Sequence, residues 1–331
     1  TASVAAADVT FSGYGRFGAV YTGSTEAGTA APADVTALAA ADAAITAATT
    51  VAELQEAIED GLAAAEAILA ATTASDSSVD LASRFRLQAD VSTETDSGIG
   101  FNARMRIQVE ENGTNESNGI RFGMTTGGLA VNVGNINGVI ESTPNLYMST
   151  NSAGVGLEGN GFQSLATNNA NGSWGWTAYS SGGAGASNGV EVIYSMGAGK
   201  VHVHSTDDDM AYGASYSMGG VTVAAAYEEK DNADEDNITL VTVGGELGSV
   251  KLALAYADSE VGGVSVDKTS LKAFGDLSAS TKVYGFVATE DAGDAFGLGL
   301  SHDLGGASFD TGYTRTAADQ DILSAGIFFN F

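Results

Sequence analysis

The chain contains no cysteine, which excludes disulfide frameworks and thiolate metal sites and leaves the redox compartment open. Basic residues are scarce: 13 Lys and Arg stand against 41 Asp and Glu, a formal net charge of −28. Such a polyanion is repelled by phosphate backbones, so nucleic acid is excluded as a partner on electrostatic grounds. The acidic balance instead fits surroundings in which divalent cations bridge negative groups. No run approaches the roughly 20 apolar residues of a membrane helix, which excludes helical spans but not β-barrels, whose signal per strand is weak. Proline is nearly absent, at 2 residues, while glycine reaches 44 without a collagen period. Recurrent aromatic and β-branched residues argue that this glycine punctuates many short strands rather than disorder. A length of 331 residues suits two ordinary domains or one large β domain. The opening TASVAAADVT has small residues at the spacing a signal peptidase prefers. It reads as the tail of a leader with a mature start near Ala6–Asp8, or else as an ordinary frayed terminus.

What is present is alternation. In FNARMRIQVE (101–110), Phe101, Ala103, Met105, Ile107 and Val109 interleave with Asn102, Arg104, Arg106, Gln108 and Glu110. Period two marks a strand with unlike faces. VTFSGYGRFGAVY places Val9, Phe11, Phe17, Ala19 and Tyr21 opposite Thr10, Ser12, Tyr14 and Arg16. SRFRLQADV sets Phe85, Leu87, Ala89 and Val91 against Arg84, Arg86, Gln88 and Asp90, and the turn STETDSG makes it a hairpin with 101–110. IRFGM adds Ile120, Phe122 and Met124 against Arg121, and the TTGG turn leads on to LAVNVG.

Five hairpins of one form follow, from VEVIYS–MGAG–KVHVHS to FGLGLSHDL–GG–ASFDTGYT. Each has a tight Gly/Ser turn at one end, and the acidic stretches STDDD, EEKDNADEDN, DSEVGGVSVD, TEDAGD and RTAADQD join them at the other. The last strand, ILSAGIFFNF, aligns Leu323, Ala325, Ile327, Phe329 and Phe331. The count is about 16 strands, with short turns alternating with longer polar loops, as an outer-membrane barrel requires. In hydrocarbon every backbone N–H and C=O must find a partner, and only a closed sheet has no unpaired edge. Abundant Gly and Ala on both faces suggest a wide barrel with no packed interior to fill.

Two segments break this rhythm. Residues 33–75 are Ala-rich, with Val51, Leu54, Ala57, Ile58 and Leu62 approximating a helical stripe. They predict two acidic helices inserted between strands one and two, with Gly61 weakening the middle. An exposed decoration, a lid, an internal plug and a trimer-axis contact all remain open for them. Residues 135–189 form a connection rich in Asn, Ser and Gly, far longer than its siblings; such loops are usually functional.

The strand register resembles the 16-stranded trimeric general porins of alphaproteobacteria. The resemblance rests on DVTFSGYGRFGAVY (8–21), on GGLAVNVGNINGVIES (127–142), similar to that family's fifth strand entering its third loop, and on ILSAGIFFNF (322–331) with its terminal Phe. The helical insertion departs from the family pattern. The resemblance implies an all-β, 16-stranded antiparallel up-and-down transmembrane barrel, a homotrimer, with the third loop (135–189) folded into the pore. It also implies that loop acids, here Glu141 and Glu158, face a basic wall across a constriction.

Parity locates that wall independently. Arg16, Arg84, Arg86, Arg104, Arg106 and Arg121, six of the seven arginines, fall opposite the apolar face on adjacent strands. Facing lipid, each would cost about 2–4 kcal/mol near the midplane, so they belong to the lumen. They can equally pair locally with Asp90 and Glu110.

Other signals are weaker. His202 and His204 sit two apart on one strand and can share a transition metal, but solvated pore-wall imidazoles account for them more simply. Asp207, Asp208, Asp209, Asp231, Asp234 and Asp236 offer a loose Ca²⁺ site without the ordered EF-hand spacing. GAGK (197–200) lacks a phosphate-loop pattern because Tyr194 replaces its first Gly. No nucleophile–base constellation marks an enzyme, and no cofactor is implied.

The expected function is therefore a Gram-negative outer-membrane porin for passive diffusion of small hydrophilic solutes and ions, weakly cation-preferring, surrounded by lipid and lipopolysaccharide. The alternatives are a structural or adhesive barrel closed by its helical insertion, and a soluble acidic β surface-layer or Ca²⁺-binding protein.

Overall fold

The computed structural model describes residues 7–24, 32–72, 76–110, 116–160, 164–169, 172–180 and 188–331. The leader expectation on the first six residues lies outside them. The chain forms two compact units, Thr1–Tyr21 with Val79–Phe331, and Thr22–Ser78.

The first unit is a closed barrel of sixteen strands. They are β1 (Asp8–Thr22), β2 (Ser78–Glu94), β3 (Gly100–Glu110), β4 (Arg121–Thr126), β5 (Leu129–Gly134), β6 (Gly189–Met196), β7 (Gly199–Ser205) and β8 (Asp209–Met218). There follow β9 (Val221–Lys230), β10 (Asn237–Leu247), β11 (Val250–Val261), β12 (Val264–Ser278), β13 (Thr281–Glu290), β14 (Gly293–Asp303), β15 (Ser308–Arg315) and β16 (Asp321–Asn330). Neighbours in sequence pair, and β1 closes the sheet by pairing with both β2 and β16. At the seam, Gly13 and Phe331 exchange backbone hydrogen bonds of 3.0 and 3.1 Å. The Phe331 ring stacks on Phe85, with centroids 5.3 Å apart. The terminal Phe thus fixes the register in which the last strand meets the first.

Register keeps each face chemically uniform. Along β2 and β3, Arg84 opposes Glu110, Arg86 opposes Gln108, Gln88 opposes Arg106 and Asp90 opposes Arg104. Arg104 in turn opposes Arg121 on β4. The other parity presents Phe11, Phe85, Phe101, Val109, Phe122 and Leu298 outward as exposed apolar residues. That belt suits hydrocarbon.

The interior is not empty, contrary to the expectation from Gly and Ala content. Residues 135–160, 164–169 and 172–180 of the long connection turn back onto the inner face. Val139, Ile140, Leu146 and Leu165 bury themselves against Ala211, Ala226, Ile238, Leu240, Ala255 and Ala257. A second patch joins Met148 and Val155 to Tyr284 and Phe286. Small wall residues are what allow a loop to seat there. One close approach is at Gly326, where a Cβ would lie 2.3 Å from the Phe17 carbonyl and 2.5 Å from Leu157 Cδ2.

The second unit is a helical hairpin, α1 (Pro32–Ala47) and α2 (Val51–Thr72). Proline opens α1, where its missing N–H costs nothing. Thr50 and Glu53 form a reciprocal cap on α2, Glu53 N to Thr50 Oγ1 at 3.2 Å and Thr50 N to Glu53 Oε2 at 3.0 Å. Gly61 does not break α2; a Cβ there would meet the Ala41 Cβ at 3.3 Å. The helices meet through buried Ala41, Ala57 and Ala64, while Ile58 and Leu62 of the expected stripe stay exposed. The side chains of Val51 and Leu54 lie outside the described residues.

Gly326→Val overpacks the seam where loop and wall meet. It is expected to cost about 1–3 kcal/mol, read as a lower urea midpoint of protein folded into lipid vesicles. An unchanged midpoint would contradict the close approach.

Candidate functional site: a loop seated against an arginine wall

The six predicted arginines share the inner face of β1–β4, in two electrostatic groups. Three are neutralised by carboxylates. Arg84 pairs with Glu110 at 2.6 Å, Arg104 with Asp90 at 2.7 Å and Arg16 with Glu158 at 3.0 Å. The other three hold neutral partners. Arg86 Nε donates to Gln108 at 2.7 Å and its guanidinium lies 5.2 Å from the centre of the Tyr14 ring. Arg106 Nε donates to Gln88 at 2.7 Å, and its NH1 donates to the Tyr179 hydroxyl. Arg121 NH1 donates to Asn137 at 3.3 Å. Among the described residues, no carboxylate lies within ion-pair distance of these three.

The two predicted loop acids diverge. Glu158 is not held away from the wall. It contacts Arg16, which is 4% exposed and also donates to the Leu157 carbonyl at 3.1 Å. That pair anchors the loop to the seam strand. Glu141 is half-buried within the loop and accepts the hydroxyl hydrogen bond of Tyr147. Burial pushes its carboxyl above the ordinary carboxylate value, while the Tyr147 hydrogen bond and the Arg106 charge act in the opposite direction. Burial and the Glu141 charge likewise push the Tyr147 hydroxyl up.

His202 and His204 face inward, as parity requires, but they are covered rather than solvated, 3% and 1% exposed. His202 Nε2 meets Glu191 Oε2 at 3.0 Å. Glu191 also accepts from the Asn132 amide at 2.7 Å and from the backbone N–H of Gly138 at 3.0 Å. His204 accepts the Val139 N–H at Nδ1, 2.8 Å away, so its Nε2 carries the proton toward Asp209 Oδ1 at 2.9 Å. Glu228 lies 3.7 Å from that Nε2 and accepts from the indole N–H of Trp174 at 2.5 Å. His204, Asp209 and Glu228 are the one set among the described residues whose potential metal-ligand atoms gather within 4.8 Å. With Nδ1 occupied by a backbone N–H, a metal at Nε2 would have to displace the remaining proton. The set as built latches the loop.

Asp209, one of the six predicted calcium ligands, therefore sits in the interior. Asp207, Asp208, Asp231 and Asp234 are exposed, and Asp236 is half-buried. The two acidic loops touch through Asp231 N and Asp208 O at 2.8 Å. Asp236 is engaged by Asn232 at 2.9 Å and the Gly262 N–H at 2.7 Å. Glu191 and Glu228 carry no motif that singles them out in the sequence, and nothing in alternation reveals that a distant loop covers them.

A closed strand cylinder with an apolar belt, a charged inner wall and a loop laid inside it defines a membrane channel. The chain belongs to the Gram-negative porin family, whose sequence profile matches residues 1–331. It is similar to the porin of Fuscovulum blasticum, 23% identical over 283 residues, covering 76% of this chain and 91% of that protein. A porin of Rhodobacter capsulatus is 31% identical over 169 residues, 40% of this chain and 52% of that protein. A mutant of the Rh. blastica porin superposes with a TM-score of 0.71 at 20% identity, covering 98% of this chain and all of that one. A triple mutant of the Rhodopseudomonas blastica porin gives 0.70 over the same shares. The protein is thus an alphaproteobacterial-type general porin of the outer membrane, a channel rather than an enzyme.

Glu141 supplies a pH test. The folded chain holds its proton more tightly than the unfolded one, so its contribution to stability is present at low pH. That contribution is lost as pH rises from the ordinary value of about 4.3 through the raised folded one. Glu141→Gln is expected to match wild type in urea midpoint at low pH and exceed it above that window. Parallel profiles would contradict the burial.

Proposed function

We propose that the porin passes small hydrophilic solutes and ions passively, with weak cation preference, and that it works as a homotrimer embedded in lipid and lipopolysaccharide. The observation that carries the diffusion reading is the loop itself, seated inside the barrel against a wall of half-buried guanidiniums. Some inner-face charges hold the loop, but Arg86, Arg106 and Arg121 have no carboxylate within ion-pair distance among the described residues. Such a lining suits a channel, because it lowers the cost of stripping water from a passing solute. The preference for cations rests on the formal charge of −28, much of it at the loop end, which concentrates cations at the mouth. Arg86, Arg106 and Arg121 oppose it from inside, which keeps the preference weak. Exposed Asp207, Asp208, Asp231 and Asp234 attract divalent cations loosely, at the level where lipopolysaccharide phosphates stand.

Reversal potentials across planar bilayers in a KCl gradient test this directly. Wild type should favour K⁺ slightly, and Arg106→Gln with Arg121→Gln should strengthen that preference. The effect should shrink at high salt, because screening shortens to about 3 Å at 1 M. Chloride preference in the wild type at low salt would sink the selectivity claim.

A further inference from the structure

Beneath the loop, on β12, two lysines occupy the inner face four residues apart. Lys268 and Lys272 are 2% and 0% exposed and rank among the largest fully buried side chains. The Lys272 ammonium donates to the Leu146 carbonyl at 2.8 Å and reaches the Ser164 carbonyl at 3.5 Å. Those carbonyls lie on two separate limbs of the loop, the one entering the barrel wall and the one returning from it. Lys268 donates to the Asn168 carbonyl on the returning limb and pairs with Glu290 on β13 at 3.7 Å. Among the described residues, no carboxylate lies within ion-pair distance of Lys272.

An ammonium buried without a counter-charge is a costly group, tolerable only while its hydrogen bonds are made. An uncharged chain of similar length would fill the same space without that cost. What the charge adds is attraction for carbonyls on both limbs at once, and hydrogen bonds to charged groups are the strong ones. A neutral contact lies close by, Thr242 Oγ1 donating to the Pro144 carbonyl at 2.6 Å. We propose that Lys272, with Lys268 beside it, is a positioning residue that clamps both limbs of the loop to the wall and so sets the free cross-section of the pore. The inference rests on the reading of the chain as an open channel.

The absence of cysteine makes the test clean. Lys272→Cys introduces a single thiol, which can be alkylated in denaturant before refolding into detergent. With 2-bromoethylamine the side chain regains an ammonium at nearly the original length; with 1-bromopropane it gains the same length uncharged. In single-channel recordings the aminoethylated protein should conduct as wild type does. The propylated protein should spend about ten-fold more time in displaced, larger or fluctuating states, the loss expected for a hydrogen bond to a charged group. Equal traces from the two alkylated proteins would overturn the clamp. Should the Lys272→Cys protein not refold, Lys268→Met reads the returning limb by the same recordings, and wild-type traces from it overturn the clamp equally. A wild-type protein without conductance would instead overturn the channel reading.

Discussion

Closure of the hydrogen-bonded sheet is the constraint on which the rest depends. In a bilayer an unpaired strand edge has no water to turn to, so the first and last strands must find one another in register. Gly13 and Phe331 make that join through a reciprocal pair of backbone hydrogen bonds. Once the cylinder is closed, every strand has one face toward lipid and one toward the lumen. The register then carries Arg84, Arg86, Arg104, Arg106 and Arg121 to one side together.

The long loop depends on that cylinder. A segment rich in Asn, Ser and Gly has little reason to fold alone. Inside the barrel its few apolar residues, Val139, Ile140, Leu146 and Leu165, find wall alanines to pack against. Its backbone finds partners of both signs. Glu191 and His204 receive its N–H groups on one side, while Lys268, Lys272 and Arg16 donate to its carbonyls on the other. Acids and imidazoles thus hold the donors and cations hold the acceptors. That division explains charged groups in an interior where a plain apolar contact would have been cheaper.

Period-two alternation is a local property, and it made the strands, their faces and the arginine wall legible in the sequence. Parity needs only neighbours. The covering of His202, His204, Lys272 and Glu228 is a long-range property, set by a loop whose path no local pattern records, and so the histidines read as solvated. Glu158 shows the same limit: its place in the loop was readable, its contact with Arg16 was not. In the hairpin, Ile58 and Leu62 outweighed Ala57 and Gly61 on any hydropathy stripe. The helices nevertheless meet through the small residues, where backbones approach most closely.

The central claim is that the lumen stays open past the seated loop, and liposome swelling measures it most directly. Vesicles carrying the purified protein should swell in isotonic solutions of small uncharged sugars, at rates falling steeply with solute size until a cutoff. Absence of swelling in the smallest sugar, at a protein density that shows the folded barrel in the membrane, would contradict an open channel.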